Sequence, residues 1–445
     1  MNVSSFTKAV IGTFSTEVTS RILHFLTIII IVRKLSPKEF GIFSLFMSFA
    51  LTLCYLSTLG VPQAIIFFIG KSKQFLASLV SNYLYIFFFL GISVSTTTYL
   101  FRNYPLHSFL RDLPSHYVLP LLIIYFFTLL DTFLLSIVRS LKRFSLFNIR
   151  RLLTPVVTLL GILSLYFASS LTLNSVVAIF TTVSVVLTLC FLIKTLSITS
   201  FHFKIDWITI RSFMGYGIKS YLQILAGHLI YQVDLYILAY LLGAKQVAFY
   251  SIAVGLATLL WYFPNTVGLV LFPTLSSEHD EEQIHLFSAQ VCRHTLLITC
   301  LGAICLAFTG KYFILLFYGP EYTPSIQAML IILPGIVVMS VYKVLVRNFS
   351  SRNRHQFVIV VAVFTLFINL CLNFALIPKY GINGAALAST ISYIFAAIAL
   401  VIVLRLESKV SLRKMLVIDF ADIRYYRSTI SQLQKKLSTS WVRWQ

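Results

Sequence analysis

The stretch LSPKEFGIFS at Leu35–Ser44 returns in altered form as LGAKQVAFYS at Leu242–Ser251, 207 residues further along the chain. The same offset pairs Tyr55 with Tyr262. Each copy joins the end of one apolar run to the start of the next. The chain is therefore predicted to contain two copies of one structural unit, and this repeat decides how its helices are grouped.

The composition of the chain is that of an integral membrane protein. Of its 445 residues, 58% are hydrophobic and 11% are charged, and the mean hydropathy is +0.89. This apolar content exceeds what a soluble core needs, so lipid is the expected solvent. The net charge of +21 comes from short basic clusters between apolar runs, which favours a role in membrane orientation over nucleic-acid binding.

Apolar runs of about twenty residues predict transmembrane helices. The first run contains Glu17 and Arg21 and has no small-residue cleavage site, so we interpret it as a span and not as a signal peptide. Pro62, Pro155 and Pro264 interrupt runs and allow bends, as does Pro334. About twelve spans are predicted, near residues 10–32, 41–69, 77–98, 118–138, 152–169, 174–193, 214–241, 248–272, 295–318, 325–346, 357–377 and 383–404.

The repeat predicts how these spans are arranged. Six helices separate the two copies, an even number, so both copies cross the membrane in the same direction. We therefore expect an all-α membrane protein with two parallel six-helix bundles around a central cleft. The bundles are predicted at 1–200 and 201–404, followed by a basic tail at 405–445.

Basic residues between the spans predict the orientation. One side holds sixteen Lys and Arg residues, with nine more in the tail, and the other side holds eight. Because cytoplasmic loops carry an excess of Lys and Arg, both termini are predicted to be cytoplasmic. The tail is expected to lie on anionic membrane lipid as a surface helix.

Several stretches together resemble the polysaccharide (O-antigen/capsule repeat-unit) flippase family of the multidrug/oligosaccharidyl-lipid/polysaccharide exporter superfamily. They are LSPKEFGIFSLFMSF at Leu35–Phe49, LGVPQAI at Leu59–Ile65, YQVDLYILAYLLGAKQVAFYSIA at Tyr231–Ala253, LFPTLSS at Leu271–Ser277 and YGINGAALASTIS at Tyr380–Ser392. The resemblance implies a multi-pass protein of the bacterial cytoplasmic (inner) membrane. It also implies export of an undecaprenyl-diphosphate-linked oligosaccharide to the outer leaflet, without a cofactor and alongside polysaccharide polymerase machinery.

One face of the first span carries polar residues suited to such a substrate. Glu17, Arg21 and His24 are spaced at i, i+4 and i+7, which places them on one helical face. Arg21 is the first candidate for a diphosphate contact, because a guanidinium binds phosphate oxygens through two donors and stays charged. The alternative is that Glu17 and Arg21 only neutralise each other between packed helices.

The seventh span, the repeat counterpart of the first, carries Gln223, His228 and Asp234. At the repeat offset His228 falls opposite Arg21, which suggests two walls of one cleft. Gln223 and His228 are predicted to bind substrate, although a histidine satisfied between helices is the commoner case. Asp234 is predicted to couple transport to a proton or sodium ion, and the alternative is a hydrogen bond that packs helices.

Two further sets of charged residues are candidates for function. Asp131 is expected to meet a cation on another helix, and it joins Glu17 as a candidate for ion coupling. Lys343 and Arg347, at i and i+4, are predicted to contact the diphosphate or else to extend towards the lipid headgroups. The acidic segment at Ser276–Phe287 is interpreted as a helix start, and no metal site is expected.

Three classes of function fit this pattern to different degrees. The first is a flippase that carries the sugar diphosphate by alternating access. The alternative is a cation-coupled multidrug or metabolite exporter of the same superfamily, which would favour an acidic cleft. An enzyme acting on the same lipid is disfavoured, because the outer loops are short and offer no paired carboxylates for acid and base catalysis.

Overall fold

The computed structural model describes residues 3–71, 76–100, 112–199, 207–276, 278, 280–408, 411, 413, 415 and 417. Most of the predicted basic tail lies outside these residues. The described part of the chain contains helices and no strands. We refer to residues 3–199 as the N-terminal half and to residues 207–408 as the C-terminal half.

The N-terminal half contains seven described helices, and local capping explains how α2 begins. The Ser36 hydroxyl accepts a hydrogen bond from the Glu39 N–H at 3.4 Å, and the Glu39 carboxylate accepts one from the Ser36 N–H at 2.9 Å. Pro37 occupies the first helical position, where its missing N–H costs nothing. The helices are α1 (Val3–Lys34), α2 (Pro37–Ser57), α3 (Val61–Lys71), α4 (Leu76–Leu100), α5 (Val118–Ser140), α6 (Phe144–Phe167) and α7 (Leu173–Leu196).

The C-terminal half contains another seven described helices, of which α11 ends in a π-helix at Ile314–Tyr318. The acidic segment is the predicted helix start, with Asp280 as the N-cap that accepts from the N–H groups of Glu282 and Gln283. The helices are α8 (Trp207–Leu242), α9 (Ala244–Ala257), α10 (Tyr262–Ser276), α11 (Glu281–Phe313), α12 (Pro324–Ser351), α13 (His355–Tyr380) and α14 (Ile382–Glu407).

The structure confirms an all-α membrane fold. Among the described residues, eleven helical stretches are long and apolar enough to cross a membrane. The third predicted span, 77–98, coincides with α4, of which Leu84–Leu100 forms a shorter apolar helix. Large apolar side chains such as Phe89 (74% exposed) and Phe308 (77% exposed) point away from the core, as lipid-facing residues do. The count of twelve and the division into six and six stay predictions.

Two predicted spans are each broken into two helices. The run at 41–69 is divided between α2 and α3, and the run at 248–272 is divided by a 3-10 turn at Thr258–Trp261. Both breaks lie beside a proline that the sequence singled out, Pro62 and Pro264. Pro155 and Pro334 instead lie within the continuous helices α6 and α12.

Close approach between the halves explains the first of these breaks. Gly60 has φ +76°, and a Cβ on it would lie 2.1 Å from the Gly217 carbonyl oxygen of α8. Only glycine avoids both the backbone strain and the clash, so the α2–α3 turn can contact α8 directly.

Most helices pack mainly against helices of their own half, and α2 is an exception that packs mainly across the halves. In the N-terminal half α1 packs on α6 and α5 on α7, and in the C-terminal half α12 and α13 both pack on α14. Across the halves α2 packs on α9 and α3 on α8. These cross-contacts place polar residues of both halves beside one another.

Candidate functional site

Glu17 holds the predicted polar face of α1 in place. Arg21 Nε lies 3.1 Å from one oxygen of Glu17, and the guanidinium of Arg151 on α6 lies 2.7 Å from the other. One carboxylate therefore serves two guanidinium groups, so the cluster keeps a net positive charge. The Arg21 side chain stays 47% exposed, and His24 lies one turn further along the same face. The neutralising ion pair exists, but it does not remove Arg21 as an anion contact.

Arg21 also contacts the opposite half of the protein. Its guanidinium carbon lies 5.4 Å from the ring centroid of Tyr262, the first residue of α10. This distance is within the range of a cation–π interaction. The contact fixes Arg21 at the boundary between the halves, where a central cleft was predicted.

Lys343 and Arg347 line a cavity of about 140 Å³ inside the C-terminal half. The cavity lies between α8, α10, α12 and α13, and Gln223 and Asn265 contribute amide groups to its wall. Gln223 Oε1 also accepts a 2.8 Å hydrogen bond from Nδ1 of His355, which orients the Gln223 amide. Three of the six residues predicted to bind substrate, Gln223, Lys343 and Arg347, are thus brought to one cavity.

Aromatic rings, and not carboxylates, hold the Lys343 ammonium group. Its nitrogen lies 4.4 Å from the Trp261 ring centroid and 5.3 Å from that of Tyr231. Within the described residues neither Lys343 nor Arg347 forms an ion pair. An ammonium beside π faces keeps its charge available for an incoming anion. The structure places the ammonium against these rings and at the cavity wall, and its contact with a diphosphate or with lipid headgroups stays a prediction.

Two consecutive aromatic residues, at the end of the 3-10 turn and at the start of α10, contact the two basic groups, and the repeat marks only one of them. Trp261 contacts Lys343 and the next residue, Tyr262, contacts Arg21. The repeat offset marked Tyr262 as the partner of Tyr55, but it did not mark Trp261. Consecutive aromatic residues at a break in an apolar run were the available signal.

His228 makes the contact equivalent to that of Arg21, but from the C-terminal half to the N-terminal half. Its ring stacks on that of Tyr55 in the N-terminal half at 4.2 Å and 24°, and its Nε2 lies 2.8 Å from the Thr52 hydroxyl. Arg21 and His228 are separated by the repeat offset of 207 residues, and so are Tyr55 and Tyr262. The repeat thus appears as two equivalent contacts between the halves, and the prediction that Arg21 and His228 form two walls of one cleft stays a prediction.

Asp131 is satisfied by a buried cation. Arg150 Nε on α6 lies 2.9 Å from Asp131 Oδ1, and the Arg150 side chain is only 6% exposed. Arg150 also donates to the hydroxyls of Thr154 and Thr188. The expected cation on another helix is confirmed. Ion coupling through Asp131 stays a prediction and would require this pair to open.

Asp234 lies in a different environment, surrounded by neutral hydrogen-bond donors. Tyr250 and Asn373 each donate to it at 2.7 Å, and Ser389 donates as well. No described basic side chain forms an ion pair with it. Oδ1 of Asn373 and Nδ2 of neighbouring Asn369 are buried without a hydrogen-bond partner. The cluster combines helix packing with one spare oxygen, Asn373 Oδ1.

Two curated proteins are similar to this chain in sequence. It is 25% identical over 187 residues to the "Probable low-salt glycan biosynthesis flippase Agl15" of Haloferax volcanii, covering 41% of this chain and 39% of that protein. It is 24% identical over 272 residues to a Shigella flexneri protein whose name describes an O-antigen transporter, covering 60% and 64% respectively. The chain thus spans two fifths to two thirds of the length of these relatives.

Solved structures share the fold. The lipid II flippase MurJ in an inward closed conformation has a TM-score of 0.73 at 16% identity, covering 88% of this chain and 87% of that one. An inward-facing multidrug resistance MATE family transporter has a TM-score of 0.72 at 13% identity, covering 86% and 94%. At such identities the likeness establishes the fold alone.

A family model, described as polysaccharide biosynthesis protein, matches residues 6–279, which include α1 and the aromatic turn before α10. The match spans more than half of the chain. The chain belongs to this polysaccharide biosynthesis protein family.

Proposed function

We propose that the protein is a flippase, not an enzyme, for a polyprenyl-diphosphate-linked oligosaccharide in polysaccharide biosynthesis, of the O-antigen or capsule kind. The observation that carries this proposal is the set of cations at the boundary and in the adjoining cavity: Arg21, Lys343 and Arg347. Glu17 is the one carboxylate paired with any of the three among the described residues. Such a site suits an anionic headgroup.

A diphosphate needs these cations because each of its charges would otherwise lose water in hydrocarbon without a partner. Arg21 offers a two-pronged donor, and Lys343 and Arg347 offer two more positive charges one helical turn apart on α12. Gln223, His24 and His228 supply hydrogen bonds for sugar hydroxyls. The prenyl chain stays in lipid beside the two bundles, so only the headgroup crosses through protein.

Transport proceeds by alternating access between two six-helix bundles with both termini in the cytoplasm. The basic loops favour this orientation. The halves are in contact at the end where α1 ends, through Gly41 with Ala244 and Phe40 with Tyr322, and again beyond the other end of α2, where Gly60 lies against Gly217. In the proposed orientation the end where α1 ends faces outward, and the headgroup enters from the cytoplasmic side of the inner membrane.

Asp234 is the proposed coupling group for a proton or sodium ion. It is a buried carboxylate without a cationic partner in the described structure, and the spare oxygen of Asn373 lies in the same cluster. Glu17 and Asp131 already hold arginines, so ion uptake there would compete with an ion pair. Asp234 is therefore preferred over both.

The test is flipping of a fluorescent undecaprenyl-diphosphate oligosaccharide in proteoliposomes, with and without a proton or sodium gradient. Replacing Arg21 by alanine removes charge-assisted hydrogen bonds worth about 1.5–3 kcal/mol, so flipping should slow about 10- to 100-fold. Lys194→Ala serves as the matched control, because Lys194 is an exposed cation at the end of α7.

Two results would contradict the proposal. Wild-type protein that fails to flip the lipid but expels cationic dyes would favour the multidrug exporter. Equal loss of flipping in Arg21→Ala and Lys194→Ala would show that general surface charge, and not the cleft, binds the substrate.

Asp234→Asn tests the coupling site separately: this variant should still flip the lipid but lose the response to the proton or sodium gradient.

A further inference from the structure

A carboxylate of the N-terminal half caps a helix of the C-terminal half. Asp112 Oδ2 accepts a hydrogen bond from the Ala244 N–H at 2.6 Å. Ala244 is the first residue of α9, and its N-cap, Gly243, has φ +84° and no side chain with which to cap the helix. The unsatisfied donors and positive dipole at this helix start are thus met by a negative charge from across the cleft.

A cation of the N-terminal half caps a second helix end of the opposite polarity. Arg33 Nε donates to the Phe317 carbonyl at 2.8 Å, and another guanidinium nitrogen donates to the Leu316 carbonyl. These carbonyls belong to the π-helix that ends α11, just before Gly319 at φ +102°. The last carbonyls of a helix lack partners within it and favour a positive charge.

Both contacts lie at the end of the interface between the halves where α1 ends. Phe25 packs edge-on against Phe317 at 6.1 Å, and Phe40 packs against Tyr322 at 6.4 Å, in each case across the halves. Apolar contacts of this kind hold surfaces together without selecting one register. The two caps select one register between the halves, because each cap stabilises the interface only when its charge lies at the helix end of opposite polarity.

We propose that Asp112 and Arg33 form a two-cap latch that selects the state in which this end of the cleft is closed. Separating the halves leaves both helix ends of the C-terminal half without these partners, so each cap favours closure independently. The latch rests on the proposed function only for its position on the outer side and its use in transport.

The test measures the closed end directly. Spin labels at Ser170 and Lys311, exposed residues of the two halves at this end, are placed in a chain whose six cysteines are replaced by alanine. Pulsed electron paramagnetic resonance then reports the distance distribution. Arg33→Gln and Asp112→Asn should each shift the ratio of open to closed states about 5- to 30-fold towards open, and the double variant by about the product.

Neighbouring residues provide matched controls. Lys34 lies over the Tyr166 ring and Glu39 caps its own helix, so both act within the N-terminal half. Lys34→Gln and Glu39→Gln should leave the distances unchanged, and Arg33→Lys should give a smaller shift than Arg33→Gln. Size-exclusion profiles check that each variant is folded.

An unchanged distribution in the double variant, or equal shifts in Lys34→Gln and Arg33→Gln, would overturn the latch. Because the distances need no substrate, a failure of lipid flipping with the shifts intact would contradict the proposed function and not the latch.

Discussion

Gly41 gives the sharpest test of how the two halves meet. It lies on α2 where this helix crosses α9, and a Cβ added to it would lie 1.8 Å from the Ala244 carbonyl oxygen and 2.6 Å from the carbonyl carbon. Both atoms belong to backbone, which cannot rotate out of the way as a side chain could. Gly41→Ala therefore forces the helices apart or distorts one of them.

The expected cost follows from two opposing effects. Replacing glycine by alanine inside a helix stabilises the helix by about 1 kcal/mol, whereas overpacking a close contact destabilises by about 1–3 kcal/mol. Gly255→Ala, on α9, isolates the first effect, because nothing lies within 4 Å of a Cβ there. The two variants should therefore differ by about 1–3 kcal/mol, with Gly41→Ala the less stable.

Unfolding in detergent, followed by tryptophan fluorescence for both variants side by side, measures this difference. The electron paramagnetic resonance distances across the closed end should also lengthen in Gly41→Ala and not in Gly255→Ala. Equal stability of the two variants, with unchanged distances, would refute the close α2–α9 crossing and with it the account of how the cleft is closed.

Two further predictions concern charged residues inside the helices. Asp131→Asn leaves the buried Arg150 without its carboxylate and should destabilise the protein by about 3 kcal/mol in detergent unfolding, and adding Arg150→Met should recover part of this loss. Lys343→Met should weaken binding of a prenyl-diphosphate analogue about tenfold in a fluorescence titration, whereas Lys343→Arg should retain most of the affinity. Equal weakening by both Lys343 variants would mean that the shape of the side chain, and not its charge, matters.

The sequence predicted the local parts of this arrangement. The i, i+4 spacing of Glu17 and Arg21 predicted a shared face, and the structure adds an ion pair on it. The same spacing in Lys343 and Arg347 predicted two cations in one place, and both line the cavity. Helical periodicity fixes such neighbours whatever the tertiary structure. The positions of the helix breaks were harder to predict from prolines. Breaks occur beside Pro62 and Pro264, whereas Pro155 and Pro334 lie within continuous helices.

The contacts that join the halves could not be predicted in this way. Asp112 and Ala244 lie 132 residues apart, and Arg33 and Phe317 lie 284 residues apart. Each pair joins a side chain to a backbone group, and a backbone group has no sequence signature. Only the packing of α2 on α9 determines which helix end meets which charge.

The repeat is the exception, because it predicted a long-range relation from sequence alone. It placed His228 opposite Arg21 and Tyr55 opposite Tyr262, and these four residues form two equivalent contacts across the halves. The side chains at the equivalent positions differ in chemistry, since a guanidinium stays charged at any physiological pH whereas an imidazole is mostly neutral above pH 7. One wall of the cleft then carries a permanent charge and the other a hydrogen-bonding ring. In the proposed function, two copies of one unit thus bind an asymmetric ligand, with a diphosphate at Arg21 and uncharged sugar at His228.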